Sequence, residues 1–416
     1  MAVDGRIHWR VATATTAVAT WLVTAAAAVA AATAPPTSSW MAAYPGARLA
    51  DLALPASHHS AAYTAPPLPP ADPLSGLLSP NESARRDAAA DILEAAGVAV
   101  GQAWAVTQVA TVRQQLDRGV RFLDLRLRDR EGTVWTAHRW YLVPLSVVVA
   151  DVAAFVAAHP TEVVVVKLRR DWDNRPADEV RASALSTALA PLEAYVVPPS
   201  DREVPVGTLA AAGKRVVLLK GNEDPVLVSP LPAGVWTDAY ATRWWNTPWG
   251  GELCAALGSA NASAWTVAGA LNMHQALLTP TLDTIVDATV AGLLGDAVVA
   301  GPHQSLREAA AAVNRDVVLP WLASLPVPWS GVVATDMTSA AIVAAVLRLN
   351  DASQPRAAAA RPFACNGASC GASANCPPVA AAHPLRTVLP AWGGSVSHPT
   401  VTTVWDGPGD HSKRPQ

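Results

Sequence analysis

A chain of 416 residues has room for two or three domains, or for one large α/β domain with extensions. Hydrophobic residues make up 51% of it and charged residues 15%, against about 25% charged in an average soluble protein, which excludes disorder along the whole chain. A net charge of −3 offers no basic field for nucleic acid, and an alanine- and arginine-rich composition with four lysines among 30 basic residues reads as coding bias.

Taken from the N-terminus, Arg6 and Arg10 precede an uncharged stretch at residues 11–34 that ends in small residues before Pro35 and Pro36. A basic start, an apolar middle and a small-residue end describe a signal peptide. The stretch is long enough to anchor a chain in a bilayer, but its alanines and threonines partition weakly into hydrocarbon, so residues 1–34 read as a signal peptide, with a signal anchor the alternative, and the protein as secreted or extracytoplasmic. Residues 49–54 form an apolar run that ends at His58, His59 and Ser60. A proline-rich loop follows at 64–80, then a helix over 82–96.

From there strands and helices alternate. Strands are expected at 120–127, 134–138, 163–168, 215–219, 235–237, 267–273 and 332–335, and helices at 145–159, 177–192, 281–295, 304–314 and 339–349. The β-branched run at 163–168 has the unbroken apolarity of a strand buried on both faces. With the run at 49–54 this makes eight strands, the number that closes a (β/α)8 barrel, whose active sites lie at the C-terminal strand ends. An open doubly wound sheet also alternates in this way, but no glycine-rich phosphate loop follows any strand.

The last segment, 356–416, reads as a partly disordered extension to a barrel domain at 37–355. It carries Cys365, Cys370 and Cys376, with Cys254 the fourth cysteine. An even count in an exported chain points to two disulfides with three possible pairings, and the spacing without paired histidines argues against zinc at the cysteines. The tripeptides beginning at Asn81 and Asn261 are glycosylation sequons.

Polar residues just past the strands form a chemical set. His58 and His59 follow the first strand, Asp124 and Arg126 lie on the second, and His138 ends the third. Arg169, Arg170 and Asp171 follow the fourth, Asp238 and Tyr240 the strand at 235–237, and Asp336 the last. Two imidazoles supply a base and an acid near neutral pH, a guanidinium neutralises charge on phosphoryl oxygens, and a carboxylate orients an imidazole. The set suits attack on a phosphodiester.

The blocks around these residues resemble the phosphatidylinositol-specific phospholipase C X-domain family, in particular members made of that domain alone. Residues 52–60 read Leu-Ala-Leu-Pro-Ala-Ser-His-His-Ser, where the family has Leu-x-x-Pro-Gly-Ser/Thr-His-Asp/Asn-Ser. A long second block runs from Trp104 and Gln108 through Gln115, Gly119 and Arg121 to Asp124 and Arg126, and His138 stands as the third match. A fourth block runs from Phe155 through His159, Pro160 and Glu162 to Arg169, and looser matches continue to Asp336 and Asn350.

The resemblance covers residues 40–350 and implies a distorted TIM barrel acting as a monomer on an inositol phospholipid at a membrane surface. It implies His58 as general base held by Asp336, and His138 as general acid. Asp124 and Arg126 complete the catalytic set, with His59, Arg169, Asp238 and Tyr240 around the inositol phosphate. The calcium-dependent branch carries Glu-x-Asp where this chain has Asp124 and Arg126, and the metal-independent bacterial branch carries Asp-x-Arg, so the resemblance implies no metal and no other cofactor. His59 departs from the family's Asp or Asn, Ala56 from its Gly, and no glycine follows His138. These departures leave a second outcome open, an inositol-phosphate or glycan-binding module with weak or lost catalysis. A glycerophosphodiesterase-like or sphingomyelinase D-like enzyme would want an acidic metal pair, which Arg126 denies.

Overall fold

The valine-rich run ahead of Arg169 forms β5 (Val164–Arg170), buried along nearly its whole length, as a parallel strand flanked on both edges and covered on both faces must be. The computed structural model describes residues 37–64, 103–138, 140–171, 180–221, 228, 230–259, 266–281, 284–285 and 305–351. All belong to the first of two units into which the chain divides at Cys370. The expected leader, the helix at 82–96, most of that at 281–295, both sequons, Cys365, Cys370, Cys376 and the C-terminal extension lie outside the described residues.

Parallel strands surround β5 in a twisted ring. Besides β5 they are β1 (Ala53–Ser57), β2 (Phe122–Arg130), β6 (Val216–Lys220), β7 (Tyr240–Trp244), β8 (Leu271–Gln275) and β9 (Gly331–Thr335). The hydrogen-bonded order is β6–β5–β2–β1–β9–β8–β7. A single parallel bridge from Leu219 to Trp236 brings the segment that leads into β7 back to β6, so the sheet curls into a distorted barrel without β6 and β7 pairing as strands. Alternate strand residues fill its interior, among them Leu54, Phe122, Val165, Val217, Leu219, Tyr240, Met273 and Val332. The intervening ones, such as Val164, Val166 and Leu168, pack outward against Val148, Val152 and Phe155 of the helix Leu145–Ala158. Each such side chain contributes roughly 1.5–3 kcal/mol by leaving water.

Two differences from the expected elements matter for the site. The segment 134–138 is not a barrel stave. It is β3 (Thr133–His138), antiparallel to the end of β2, with β4 (Trp140–Pro144) antiparallel to it in turn. Glu131 at φ 53° and Gly132 at φ 87° make the two-residue turn with both φ positive that joins tight hairpins. The expected strand at 235–237 is only the bridge at Trp236, and the expected strand at 267–273 starts later, at Leu271. Pairing with β8 begins at Tyr240, after a left-handed residue, Asp238 at φ 56°.

Two blocks of the sequence also build the N-terminal end of the barrel. Arg121, just before β2, and Glu162, just before β5, form an ion pair 2.7 Å long with both side chains fully buried. Arg121 also donates to the carbonyls of Leu116, Val120 and Ser38, and its guanidinium lies 4.6 Å from the Phe155 ring centre. Glu162 accepts from the Met41 amide and the Thr161 hydroxyl. Every group of the pair is satisfied.

Candidate active site

The C-terminal end of the barrel is assembled around the turn after β1. His58 and His59 follow β1 in a tight turn in which His59 adopts φ 40°, a left-handed conformation costing a bulky residue roughly 1–2 kcal/mol. The turn is held rigidly. The Ser60 hydroxyl accepts the Asp124 amide at 2.8 Å, and the Ser60 amide donates to the Asp124 carbonyl. The Thr107 hydroxyl donates to the carbonyls of His58 and His59. The Gln108 side-chain amide donates to the carbonyls of His58 and Thr335, joining β1 to β9. Gln108 and Gln115, quoted as motif residues, therefore serve the turn; Gln115 donates to the Ser60 carbonyl.

His58 Nδ1 lies 2.8 Å from Asp336 Oδ1, across 278 residues of sequence. Asp336 is 3% exposed, and its own carbonyl accepts from the Asn314 amide. The bond on Nδ1 leaves Nε2 of His58 facing the mouth. His138 arrives from the returning hairpin. Pairing of Leu127 with Thr136, carried two residues further, sets it beside Leu125. Its Nδ1 is 2.8 Å from the Ala105 carbonyl, a partner that fixes the proton on Nδ1 and leaves Nε2 to face a substrate. The His59 ring centre lies 4.2 Å from that of His58 and 3.9 Å from that of His138, so three imidazoles are in contact.

Two layers of charge lie alongside. Asp124 on β2 is level with Lys167 on β5, and Arg126 with Arg169. Lys167 Nζ is 3.2 Å from Asp124 Oδ1 and 3.2 Å from the Tyr240 hydroxyl. Burial opposes ionisation of Asp124, but Lys167, His58, Arg169 and Arg126 outweigh it and hold the carboxyl below the usual carboxylate range. Burial lowers the His59 pKa well below that of an ordinary histidine, and Arg126, His138, His58 and Arg169 lower it further. His59 is therefore a neutral imidazole. Asp171 faces Arg126 at 3.8 Å and Arg128 at 3.1 Å, aiming the Arg126 guanidinium. His59, Asp124 and Arg126 line a cleft with Ala61, Thr136 and Leu142.

Seven of the nine expected site residues thus meet here: His58, His59, Asp124, Arg126, His138, Arg169 and Asp336. Asp238 does not, and Tyr240 reaches the set from below, through Lys167. Tyr240 is 2% exposed, with its ring 6.1 Å from Phe122 inside the barrel, and exposed Asp238 precedes β7 at the barrel's other end. The later start of β7 is the reason: its C-terminal end carries Arg243 and Trp244. Lys167 and the Ala105 carbonyl were not expected, and Asp171, one of the strand-end residues, enters as the partner of Arg126 and Arg128. Strand alternation held a signal for the first, since Lys167 stands two residues before Arg169 and so shares its face. Among the described residues, the donor set that could take a metal ion is His58, His59 and Asp124, whose ligand atoms lie within 4.8 Å of one another.

Comparison with known proteins adds the following. A family model described as PI-PLC X matches residues 94–219, a span that holds Asp124, Arg126, His138 and Arg169 but neither His58 nor Asp336. The variant-surface-glycoprotein phospholipase C of Trypanosoma brucei brucei is 42% identical over 62 residues, 14% of this chain and 17% of that protein. Human PI-PLC X domain-containing protein 1 is 38% identical over 71 residues, 16% of this chain and 22% of that protein. Human PI-PLC X domain-containing protein 2 is 26% identical over 135 residues, 30% and 41% of the two chains. The matches therefore span less than half the length of each of these relatives. Among solved structures, a phosphatidylinositol-specific phospholipase C of Staphylococcus aureus superposes with a TM-score of 0.51 at 16% identity, over 76% of this chain and 99% of its own. That likeness bears on the fold.

Proposed function

We propose that this chain, which belongs to the PI-PLC X-domain family, is a phosphodiesterase that cleaves an inositol phospholipid by acid–base catalysis between His58 and His138. The observation that carries the reading is the 2.8 Å bond from His58 Nδ1 to Asp336, placed in ring contact, through His59, with a second imidazole at the mouth where Arg126 lies. Nε2 of His58 takes the proton from the inositol 2-hydroxyl, whose oxygen bonds to phosphorus. The bond from phosphorus to the diacylglycerol oxygen breaks, and Nε2 of protonated His138 gives that oxygen its proton. The product is a cyclic inositol phosphate. Arg126 and Arg169 neutralise charge growing on the phosphoryl oxygens. Asp336 stabilises the imidazolium that forms on His58.

The substrate class is a lipid bearing inositol phosphate, plain or glycosylated, met at a membrane surface by a monomer. Trp244 and Trp249 support the surface, being 46% and 48% exposed past β7 at the mouth, since indoles favour the headgroup level. Action outside the cytoplasm is supported by the leader pattern and by Cys254, which is disulfide-bonded.

His59 favours a second reading, a binding module with weak catalysis, because a neutral imidazole stands where a carboxylate or amide would support the acid. Phosphatidylinositol vesicles with chelator present separate the two. Cyclic inositol phosphate released by the parent and not by His58→Ala supports the enzyme. No product from the parent, but product from His59→Asp, supports the silenced module.

A further inference from the structure

We propose that His58, His59 and Asp124 form a site for a borderline transition cation, zinc above all, and that zinc held there stops catalysis by occupying the base. The ligand atoms of the three residues lie within 4.8 Å of one another. A second observation points to a ligand. His59 is 2% exposed, yet neither of its ring nitrogens has a hydrogen-bond partner. Leaving a buried polar group unmade costs roughly 1–3 kcal/mol, and the left-handed backbone at His59 adds strain to put the ring there.

The donor set selects the metal. Calcium and magnesium want six or more oxygens, whereas two imidazole nitrogens and one carboxylate suit zinc, copper or nickel. Three protein ligands with a fourth position open is the arrangement of accessible zinc sites. Zn–N bonds of about 2.0–2.1 Å require the rings to close on the ion from their present spacing. The outer shell is already in place. Asp336 accepts from His58 Nδ1, the carboxylate–histidine arrangement that orients a metal-bound imidazole and raises its basicity. Lys167 on Asp124, with Arg126 and Arg169 nearby, works against a cation, so the site is one of moderate affinity that fills when zinc rises.

The consequence follows from one atom. Nε2 of His58 is both the nitrogen left for zinc and the nitrogen that takes the substrate proton. Binding and turnover therefore exclude one another. The inhibition rests on the function proposed above; the binding does not.

The test uses the full chain freed of metal with a chelator, then titrated with zinc by calorimetry and with cobalt(II) by visible absorption. One zinc per chain is expected, with the intense cobalt bands of a four-coordinate site. His59→Gln, checked for folding by circular dichroism, is expected to weaken zinc on the order of tenfold or more, in keeping with the loss of a ligand-shell group. It is also expected to lose the sensitivity of its own metal-free rate to zinc. His138→Gln is expected to bind zinc as the parent does. No binding by the parent, unchanged affinity in His59→Gln, or equal loss in His138→Gln overturns the assigned ligands. Zinc binding with no lipid cleavage by any variant defeats the phosphodiesterase reading and leaves the site standing. Cleavage that saturating zinc does not slow defeats the proposed inhibition.

Discussion

The two ends of the barrel bury the same kinds of group and treat them oppositely. At the N-terminal end Arg121 and Glu162 are fully buried and fully satisfied, with carbonyls, an amide and a hydroxyl meeting what the pair itself leaves open. At the C-terminal end His59 is nearly as buried with both nitrogens unpartnered, between two imidazoles each held at Nδ1. A closed network fixes a strand register. An open one keeps binding capacity for something that arrives later, at a cost in stability. The same two sequence blocks feed both ends: Arg121 and Arg126 lie on one segment, Glu162 and Arg169 on another.

The sharpest way to break this contrast is to remove one group from each end. His58→Ala is expected to lower the rate of cyclic inositol phosphate release by about 10²–10⁴-fold, the usual worth of a positioned acid or base, with little change in the thermal midpoint. A rate within a few-fold of the parent, measured on vesicles, would place the base elsewhere. Glu162→Gln is expected to do the reverse, costing about 3–5 kcal/mol in a denaturant melt because it strands a buried guanidinium, while turnover per folded molecule holds. If Glu162→Gln left stability intact and lowered turnover, the N-terminal end would not be purely structural.

How much of this was legible in the sequence depends on which physical rule was needed. His58, Arg126 and Asp336 stand on or just past barrel strands, and the barrel rule gathers them, whereas His138 comes to the same place on a hairpin strand outside the barrel. The hairpin was missed because Glu131 and Gly132 carry no Asn-Gly signature, so β3 read as one more stave. Asp238 was misplaced through a strand boundary, the least secure part of any pattern reading: a start of β7 four residues past Trp236 moves it away from the mouth and leaves Tyr240 beneath the site, against Lys167. Lys167 was readable by alternation and hidden by the valines around it. The state of His59 was not readable at all, since its burial and its contact with His138 depend on the hairpin returning over the turn after β1.

A smaller effect concerns a buried histidine that serves neither end. His274 on β8 is 1% exposed, between Trp321 and Trp329. Burial, then Arg243, depresses its pKa to about 4. Below its unfolded pKa of about 6.5 the unfolded chain binds a proton that the folded one refuses. Stability is therefore full above about pH 6.5 and falls as pH drops towards 4, by about 3 kcal/mol for this group at about 1.4 kcal/mol per pH unit. His59 adds loss of the same sign. His274→Gln is expected to flatten the melting-temperature profile between about pH 6.5 and 4 relative to the parent. An unchanged slope would mean that His274 is protonated in the fold.

The smallest expected effect tests whether the open end faces a surface. Trp244 and Trp249 expose about half of their side chains, and Trp244 is steadied by its indole nitrogen donating to the Thr279 hydroxyl at 2.8 Å. An indole offers roughly 150–250 Å², and burying half of it at about 25 cal/mol/Å² is worth roughly 2–3 kcal/mol, or at most about 200-fold in affinity. Trp249→Ala is therefore expected to weaken vesicle binding by up to that factor in a sedimentation assay. Cleavage of a short-chain inositol phospholipid dissolved as a monomer should be left alone, because the residue supplies no group to the reacting atoms. Loss on both substrates would assign the tryptophan to packing over the mouth. Loss on vesicles alone would mean that the end holding the imidazoles is also the end that meets lipid.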